Sequence, residues 1–491
     1  MTRPFSRREL VLPLALSLVT SALVLLPGPR LYDDAYITLR YARNLALGQG
    51  FVYNPGERVL GTSAPLFGLL AAVLSPLTGP GGLPRAAFAL DALCLPLLAC
   101  LVYRLVRRAA GPGLSLVTAT AALAPLESLR LFASGMETPL YLVGIVLALD
   151  LLARKRDAWA LGLSGLLPFL HPDAVLLWPC LLLAIRLRDG RWPLKAGLAG
   201  LAPLLEGTAV LVVVFGSPLP QSVRAKAVAY VASPGFALSE LATGLVDGIL
   251  PSNRLPALPR GVLESFVGLV IPVLLGALVL SGRAGLRSPA GAAASLFAVA
   301  YLVAFAAGNP FVFPWYLAPL CVPALVAAAF ASGEADRRLA AAWGLLLATG
   351  AGLSLAGFRP YDTSSREDLY RRAVRELGLG PSDLVSGPEV GALGWETRAR
   401  VLDTEGLVSP VALAFHDPAW RNRPGAPSIH GGEIPPRLIR EAAPQYLVAL
   451  TRFLEPALAA DPHVLDRYDL VALYPSWVFG SRGVAVYRRK N

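Results

Sequence analysis

Apolar runs of helix length recur from Leu10 to Gly357, separated by short stretches rich in Arg, Gly and Pro. A helix crossing a bilayer needs about 20 predominantly apolar residues, because only a closed ladder of backbone hydrogen bonds is tolerated in hydrocarbon. Such runs fall near 10–27, 84–106, 113–131, 138–153, 158–171, 173–187, 194–215, 261–281, 289–307, 314–331 and 339–357, which predicts about eleven transmembrane helices. Leu10–Pro27 follows Arg7 and Arg8 and lacks a small-residue cleavage site, so it reads as a retained first span. The stretch Ala64–Leu77 is too short to span and ends in Thr78-Gly-Pro-Gly-Gly82. It reads as a re-entrant or interfacial helix on the outer side. The fifth and sixth runs are short and separated only by His171-Pro-Asp173.

From Phe358 the pattern changes. Ser364–Leu377 has helical spacing closed by Gly378, and short β-type runs follow at Leu384–Ser386, Arg400–Asp403, Gln445–Leu450, Tyr468–Tyr474 and Gly483–Tyr487, with a helix at Pro435–Ala443. The expected organisation is therefore a transmembrane domain, 1–357, carrying outer loops 28–83 and 216–260, and a compact α/β domain, 358–491.

Composition supports this reading: 55% hydrophobic and 16% charged residues exclude a water-soluble globule or a disordered chain. The net charge of +11 lies almost wholly before Arg359, since 17 bases and 16 acids are found from that residue onward. The connections at 3–9, 104–108, 154–157, 186–195, 283–287 and 334–338 carry seventeen bases against five acids. Such an excess marks cytoplasmic loops, which puts the amino terminus in the cytoplasm and 358–491 outside. It identifies the bilayer as a partner and nucleic acid as none. Cys94, Cys100, Cys180 and Cys321 sit inside apolar runs without metal-ligand spacing and read as buried small hydrophobes.

The outer loops then gather Asp33 and Asp34, Glu137, His171 and Asp173, Gln221, Arg224 and Lys226, and Asn309, Trp315 and Tyr316. In Tyr32-Asp-Asp-Ala-Tyr-Ile-Thr-Leu-Arg-Tyr-Ala-Arg-Asn-Leu45, Tyr36, Leu39, Arg40 and Arg43 share a helical face, which predicts a helix lying on the membrane surface. Two carboxylates at its positive end are stabilised as anions, as a base requires; the plain alternative is that one of them caps this helix.

Asp33-Asp34, Arg40-Tyr41-Ala42, Tyr53-Asn54-Pro55-Gly56-Glu57 and Gly61-Thr62-Ser63 together resemble the first outer loop of polytopic GT-C glycosyltransferases, above all the actinobacterial terminal arabinofuranosyltransferases. The likeness continues through Ser134-Gly-Met-Glu-Thr-Pro-Leu-Tyr141, Pro218-Leu-Pro-Gln-Ser-Val-Arg-Ala-Lys226 and Asp403-Thr-Glu-Gly-Leu-Val-Ser-Pro410. It implies inverting transfer of a sugar, a pentofuranose such as arabinofuranose, from a polyprenyl-phosphate donor to a glycan or lipid acceptor on the outer face of a bacterial cytoplasmic membrane. It further implies Asp33 as base and Asp34 orienting it or holding a sugar hydroxyl. Glu137 would bind acceptor or metal, and Arg224 and Lys226 the lipid phosphate. Arg40 either faces the donor or snorkels; His171, Gln221 and Tyr316 complete the substrate-binding set. The cofactor is left open, with a divalent cation one option and no metal ligand assigned. The competing reading is a transporter or flippase of lipid-linked saccharides, which would place acids mid-span and repeat the two halves. Gly387-Pro-Glu-Val-Gly391 is neither a P-loop nor a dinucleotide fingerprint.

Overall fold

A computed structural model of the chain describes residues 11–25, 28–123, 130–249, 288–335, 337–356, 366–416 and 429–490. The expected eighth span, 261–281, lies outside the described residues. The chain divides into two compact units, one of Met1–Pro29, Phe88–Thr208 and Ala237–Pro360, the other of Arg30–Ala87, Ala209–Phe236 and Tyr361–Asn491. Nearly all of the first outer loop, and the second as far as Phe236, thus belong to the same unit as the C-terminal segment.

The first unit is helical. Four helices in the described residues, Pro80–Val106, Leu194–Phe215, Pro289–Gly308 and Pro314–Ser332, are long and apolar enough to cross a membrane. Pro112–Leu123, Thr138–Ala153 and Trp343–Gly352 are apolar but shorter, as is Pro65–Thr78 of the second unit. The weak fifth and sixth runs are broken, as their prolines require. Asp157–Leu166 gives way to 3-10 turns at Leu167–Phe169 and Pro172–Leu176 before Leu177–Asp189. Ion pairs join three of the basic connections. Buried Asp150 meets Arg104 at 2.8 Å, Arg108 at 3.4 Å and Arg154 at 2.8 Å, and Arg188 meets Asp157 at 2.6 Å. Connections that share carboxylates lie at one end of this unit, as the alternation of short loops demands.

In the second unit, the C-terminal segment forms the expected α/β fold. Its five-stranded sheet runs in the order β3-β2-β5-β7-β6, where β2 is Leu384–Gly387, β3 Arg400–Asp403, β5 Tyr446–Leu450, β6 Tyr468–Pro475 and β7 Gly483–Arg489. β2 pairs in parallel with β3 and β5, whereas β7 is antiparallel to β5 and β6. A parallel neighbour requires a crossover, and the connection from β2 to β3 contains the helix Val390–Glu396. Helices Pro436–Ala442 and Thr451–Ala460 contribute Ile439, Leu454 and Leu458 to a core with Leu447, Ala449 and Ala485 of the sheet. A separate antiparallel pair joins β1, Val231–Ala232, to β4, Ile429–His430.

The first outer loop is built into this fold. Its helix, Asp33–Ala46, is not the exposed surface helix that its basic and apolar spacing suggested: Asp33, Ala35–Ala42 and Asn44 are all buried. Arg40 is 2% exposed. It donates from Nε to the Tyr53 carbonyl at 2.9 Å, from Nη2 to Ala399 at 3.1 Å and from Nη1 to Gly394, and it stacks 4.4 Å above the Tyr53 ring. A buried guanidinium is tolerable when its fork of donors finds carbonyls and an aromatic face. Arg43 repeats the arrangement on Trp395. Asn54 gives and takes one hydrogen bond each with the Val401 backbone, acting as one more residue beside edge strand β3, and Glu57 pairs with Arg400 at 2.6 Å. Tyr53 Oη donates to the Val390 carbonyl at 2.6 Å.

This docking leaves no room for side chains on one face of the helix Val390–Glu396. A Cβ at Gly391 would overlap the Asp33 carbonyl oxygen, and one at Gly394 the Tyr53 hydroxyl. Gly391→Ala is therefore expected to destabilise the protein by about 2–3 kcal/mol, the cost of overpacking a tight interior. A Cβ at Gly81 meets nothing within 4 Å, so Gly81→Ala is the control. Thermal denaturation in detergent checks this: equal midpoints for the two variants would contradict the docking.

Candidate active site

The two acids of the first loop have separate fates. Asp33 does not cap its own helix, where Tyr32 is the N-cap and no side chain bonds to it. Its carboxylate instead accepts from the backbone N–H groups of Gly391 at 2.9 Å and Ala392 at 2.8 Å, in the first turn of the helix Val390–Glu396. The orphan donors of a helix N-terminus following a parallel strand are a ready anion site, and the chain's own carboxylate fills it. Asp33 is only 7% exposed. Burial pushes its carboxyl up from 3.8 to about 7, against the pull of the Arg366 guanidinium and the Ala392 hydrogen bond; Glu389 adds to the rise. Arg366 is itself held by Glu389 at 2.5 Å and Glu367 at 2.8 Å, and Tyr370 donates to Glu389 at 2.6 Å.

Asp34 is the accessible carboxylate of the pair, with 30% of its side chain exposed. Successive residues on a helix point about 100° apart, so with Asp33 turned onto the Gly391–Ala392 backbone, Asp34 faces elsewhere. Its Oδ2 lies 3.2 Å from Lys226 Nζ. Lys226 comes from the helix Gln221–Val228, seated by the Gln221 N–H on the Leu60 carbonyl at 2.7 Å and by Gln221 Nε2 on the Gly406 carbonyl at 3.0 Å. Arg224 precedes Lys226 by two residues, nearly half a turn round that helix, and is exposed. The structure thus joins Asp34 to Lys226, gives Asp33, Arg40 and Gln221 to backbone contacts, and leaves Arg224 at the surface.

Glu137, His171 and Tyr316 belong to the first unit. Glu137 is buried at the N-cap position of Thr138–Ala153, with helical dihedrals and no side-chain cap bond. The turn before it, with Gly135 at φ 70°, is held by Asp91, whose Oδ2 accepts the Gly135 N–H at 2.8 Å. Asp91 was not singled out from sequence, although a lone acid inside the apolar run 84–106 is costly and thereby informative. His171 stacks on Tyr141 with ring centroids 5.0 Å apart, meets Tyr316 edge-on at 5.7 Å, and its Nδ1 bonds Asp173. Tyr316 accepts at its carbonyl from Tyr301 Oη at 3.0 Å. His171 and Tyr316 are therefore one aromatic cluster. Among the described residues no group of three or more His, Cys, Asp or Glu side chains is arranged to hold a metal ion.

Asp33 gives a pH signature. Between about pH 4 and pH 7 the folded chain keeps a proton on this group that the unfolded chain has lost, so its contribution to stability falls as pH rises through that window. Asp33→Asn lacks the titration. The difference in thermal midpoint between wild type and Asp33→Asn is expected to narrow from pH 5 to pH 8; a gap that widens would contradict the assignment.

No protein-family model and no curated protein sequence matches the chain. Solved structures do. ArnT from Cupriavidus metallidurans bound to undecaprenyl phosphate superposes with a TM-score of 0.60 at 15% identity, covering 97% of each chain. The same protein in the apo state gives 0.58 at 14% identity, again over 97% of each. The arabinofuranosyltransferase AftD from Mycobacteria gives 0.45 at 14% identity, with all of this chain matching 42% of that one. At such identities the similarity to ArnT is one of fold, and the chain shares that fold along nearly its whole length.

Proposed function

We propose that the protein is an inverting glycosyltransferase that moves a sugar from a polyprenyl-phosphate donor to an acceptor hydroxyl. The observation that carries this reading is the Asp34–Lys226 pair, an accessible carboxylate 3.2 Å from an ammonium group. It is supported by the fold shared with ArnT, whose structure holds undecaprenyl phosphate. In a single displacement the acceptor oxygen bonds to the anomeric carbon as the bond from that carbon to phosphate oxygen breaks. The acceptor proton passes to Asp34, which acts as base in place of Asp33, and Lys226 leaves Asp34 to balance the charge of the departing phosphate. Asp33, Arg40 and Gln221 are positioning residues that set the two helices bearing this pair. Arg224 serves the lipid headgroup region. For Glu137, His171 and Tyr316 the motif resemblance alone suggests sugar recognition. The short helix Pro65–Thr78 turns Leu69, Leu70, Val73 and Leu77 outward, a surface that lets a polyprenyl tail remain in lipid. The asymmetry of loop charge supports a bacterial cytoplasmic membrane protein with its C-terminal domain outside. The motif resemblance makes a pentofuranose, arabinofuranose first, the donor sugar to test. Asp91, an acid within a span, is what a transporter would show, but its carboxylate holds the Gly135 turn.

The test uses the protein in nanodiscs with radiolabelled polyprenyl-phosphate sugars. Asp34→Asn is expected to lose about 10²–10⁴-fold in kcat, the range for a general base. Lys226→Met is expected to lose about 10²-fold or more. Asp33→Asn should lose less activity than Asp34→Asn and more stability. Full transfer by Asp34→Asn would overturn the mechanism.

A further inference from the structure

The turn after β3 carries two acids in opposite states. Asp403 accepts from the N–H groups of Glu405 and Val408, both at 2.9 Å, and so closes the turn on itself. Glu405 is 0% exposed, and among the described residues neither of its carboxylate oxygens has a hydrogen-bond partner. The Gly432 N–H is near enough to bear on its titration but makes no bond of good geometry. Burial, then Asp403 and Glu433, hold its carboxyl well above the usual range. Two buried hydroxyls, Thr404 Oγ1 on this turn and Ser222 Oγ on the helix Gln221–Val228, are also without partners among the described residues. The segments are tied together by Gln221 Nε2 on the Gly406 carbonyl, Gln221 opening the helix that carries Lys226. Tyr230, packed on Gly431, lies within electrostatic reach of Glu405 and Asp34 alike.

Folded proteins leave few buried polar atoms unsatisfied, and a group of them asks what completes it. The donor and acceptor inventory restricts the answer. An anion has no proton to donate to these oxygens and would lie among the acids Glu405, Asp403 and Glu433. A metal ion is poorly served, because no three-ligand group exists among the described residues. A neutral, multiply hydroxylated ring fits: its O–H groups donate to a carboxylate, and hydroxyls of Thr404 and Ser222 can give or accept.

We propose that Glu405, with Thr404 and Ser222, forms the acceptor subsite and holds a saccharide by two neighbouring hydroxyls of one ring, presenting another to Asp34. The acceptor is accordingly a glycan or glycosylated lipid, not a simple lipid alcohol. Tyr230 gives way as the sugar enters. The proposal rests on the glycosyltransferase reading and assigns the side of the reaction that Asp34 and Lys226 leave open.

The experiment measures two fates of the labelled donor in nanodiscs: hydrolysis by water, and transfer to octyl arabinofuranosyl and octyl mannopyranosyl disaccharides, with dodecanol as the sugar-free acceptor. Glu405→Gln is expected to raise the acceptor KM about tenfold with a far smaller change in kcat, and to shift the ratio of hydrolysis to transfer toward hydrolysis by a similar factor. Thr404→Val should shift both in the same direction by less. Thermal denaturation should find Glu405→Gln at least as stable as wild type, since it removes a buried acid. An unchanged KM and ratio in Glu405→Gln, or a wild type that transfers to dodecanol as well as to the disaccharides, overturns the subsite alone. A wild type that consumes none of the donors removes the transferase reading and the subsite with it.

Discussion

The Asp33 carboxylate, seated on two backbone N–H groups of a helix 358 and 359 residues further along the chain, constrains everything around the candidate site. It brings the start of the first-loop helix into backbone contact with the helix Val390–Glu396, which is why glycine stands at 391 and 394. Arg40 and Arg43 extend the contact along the same helix by donating to carbonyls at 394, 395 and 399. Because Asp33 is committed in this way, its neighbour projects elsewhere and meets Lys226. One carboxylate holds the scaffold and the next is left to meet Lys226.

Much of the second unit was legible in the sequence. The strands at 384–387, 400–403, 446–450, 468–475 and 483–489 follow β-type runs of Val, Leu and Tyr bounded by Gly, Pro and Asp, and the helix Arg366–Leu377 stops before Gly378. These are local signals, and local structure obeyed them. The docking of the first loop was not legible. Tyr36, Leu39, Arg40 and Arg43 have the spacing of an interfacial helix, and nothing in that spacing reveals that both arginines find carbonyls more than three hundred residues away. The same limit hid the role of Asp33, whose partners are backbone groups, and that of Glu405, whose importance lies in lacking partners. Asp91 could have been found, since an acid inside an apolar run needs a reason.

The motifs behind the family resemblance acquire a structural reading. Tyr53, Asn54 and Glu57 bind the C-terminal segment, Tyr41 Oη accepts from the Gly61 N–H, and Thr62 meets Thr38 at 2.7 Å. Most of the first-loop pattern therefore specifies how the loop is mounted; Asp34 instead meets Lys226. The proposed transfer asks this pair to hold a lipid-phosphate leaving group beside the cation and an acceptor beside the carboxylate.

The most direct test of this account is a structure of the protein in nanodiscs with undecaprenyl phosphate. The account predicts the phosphate within about 4 Å of Lys226 Nζ, the distance of an ion pair, with Asp34 freed from the lysine and Asp33 still on Gly391 and Ala392. A phosphate bound away from Lys226, with the Asp34–Lys226 pair intact beneath it, would contradict the central claim.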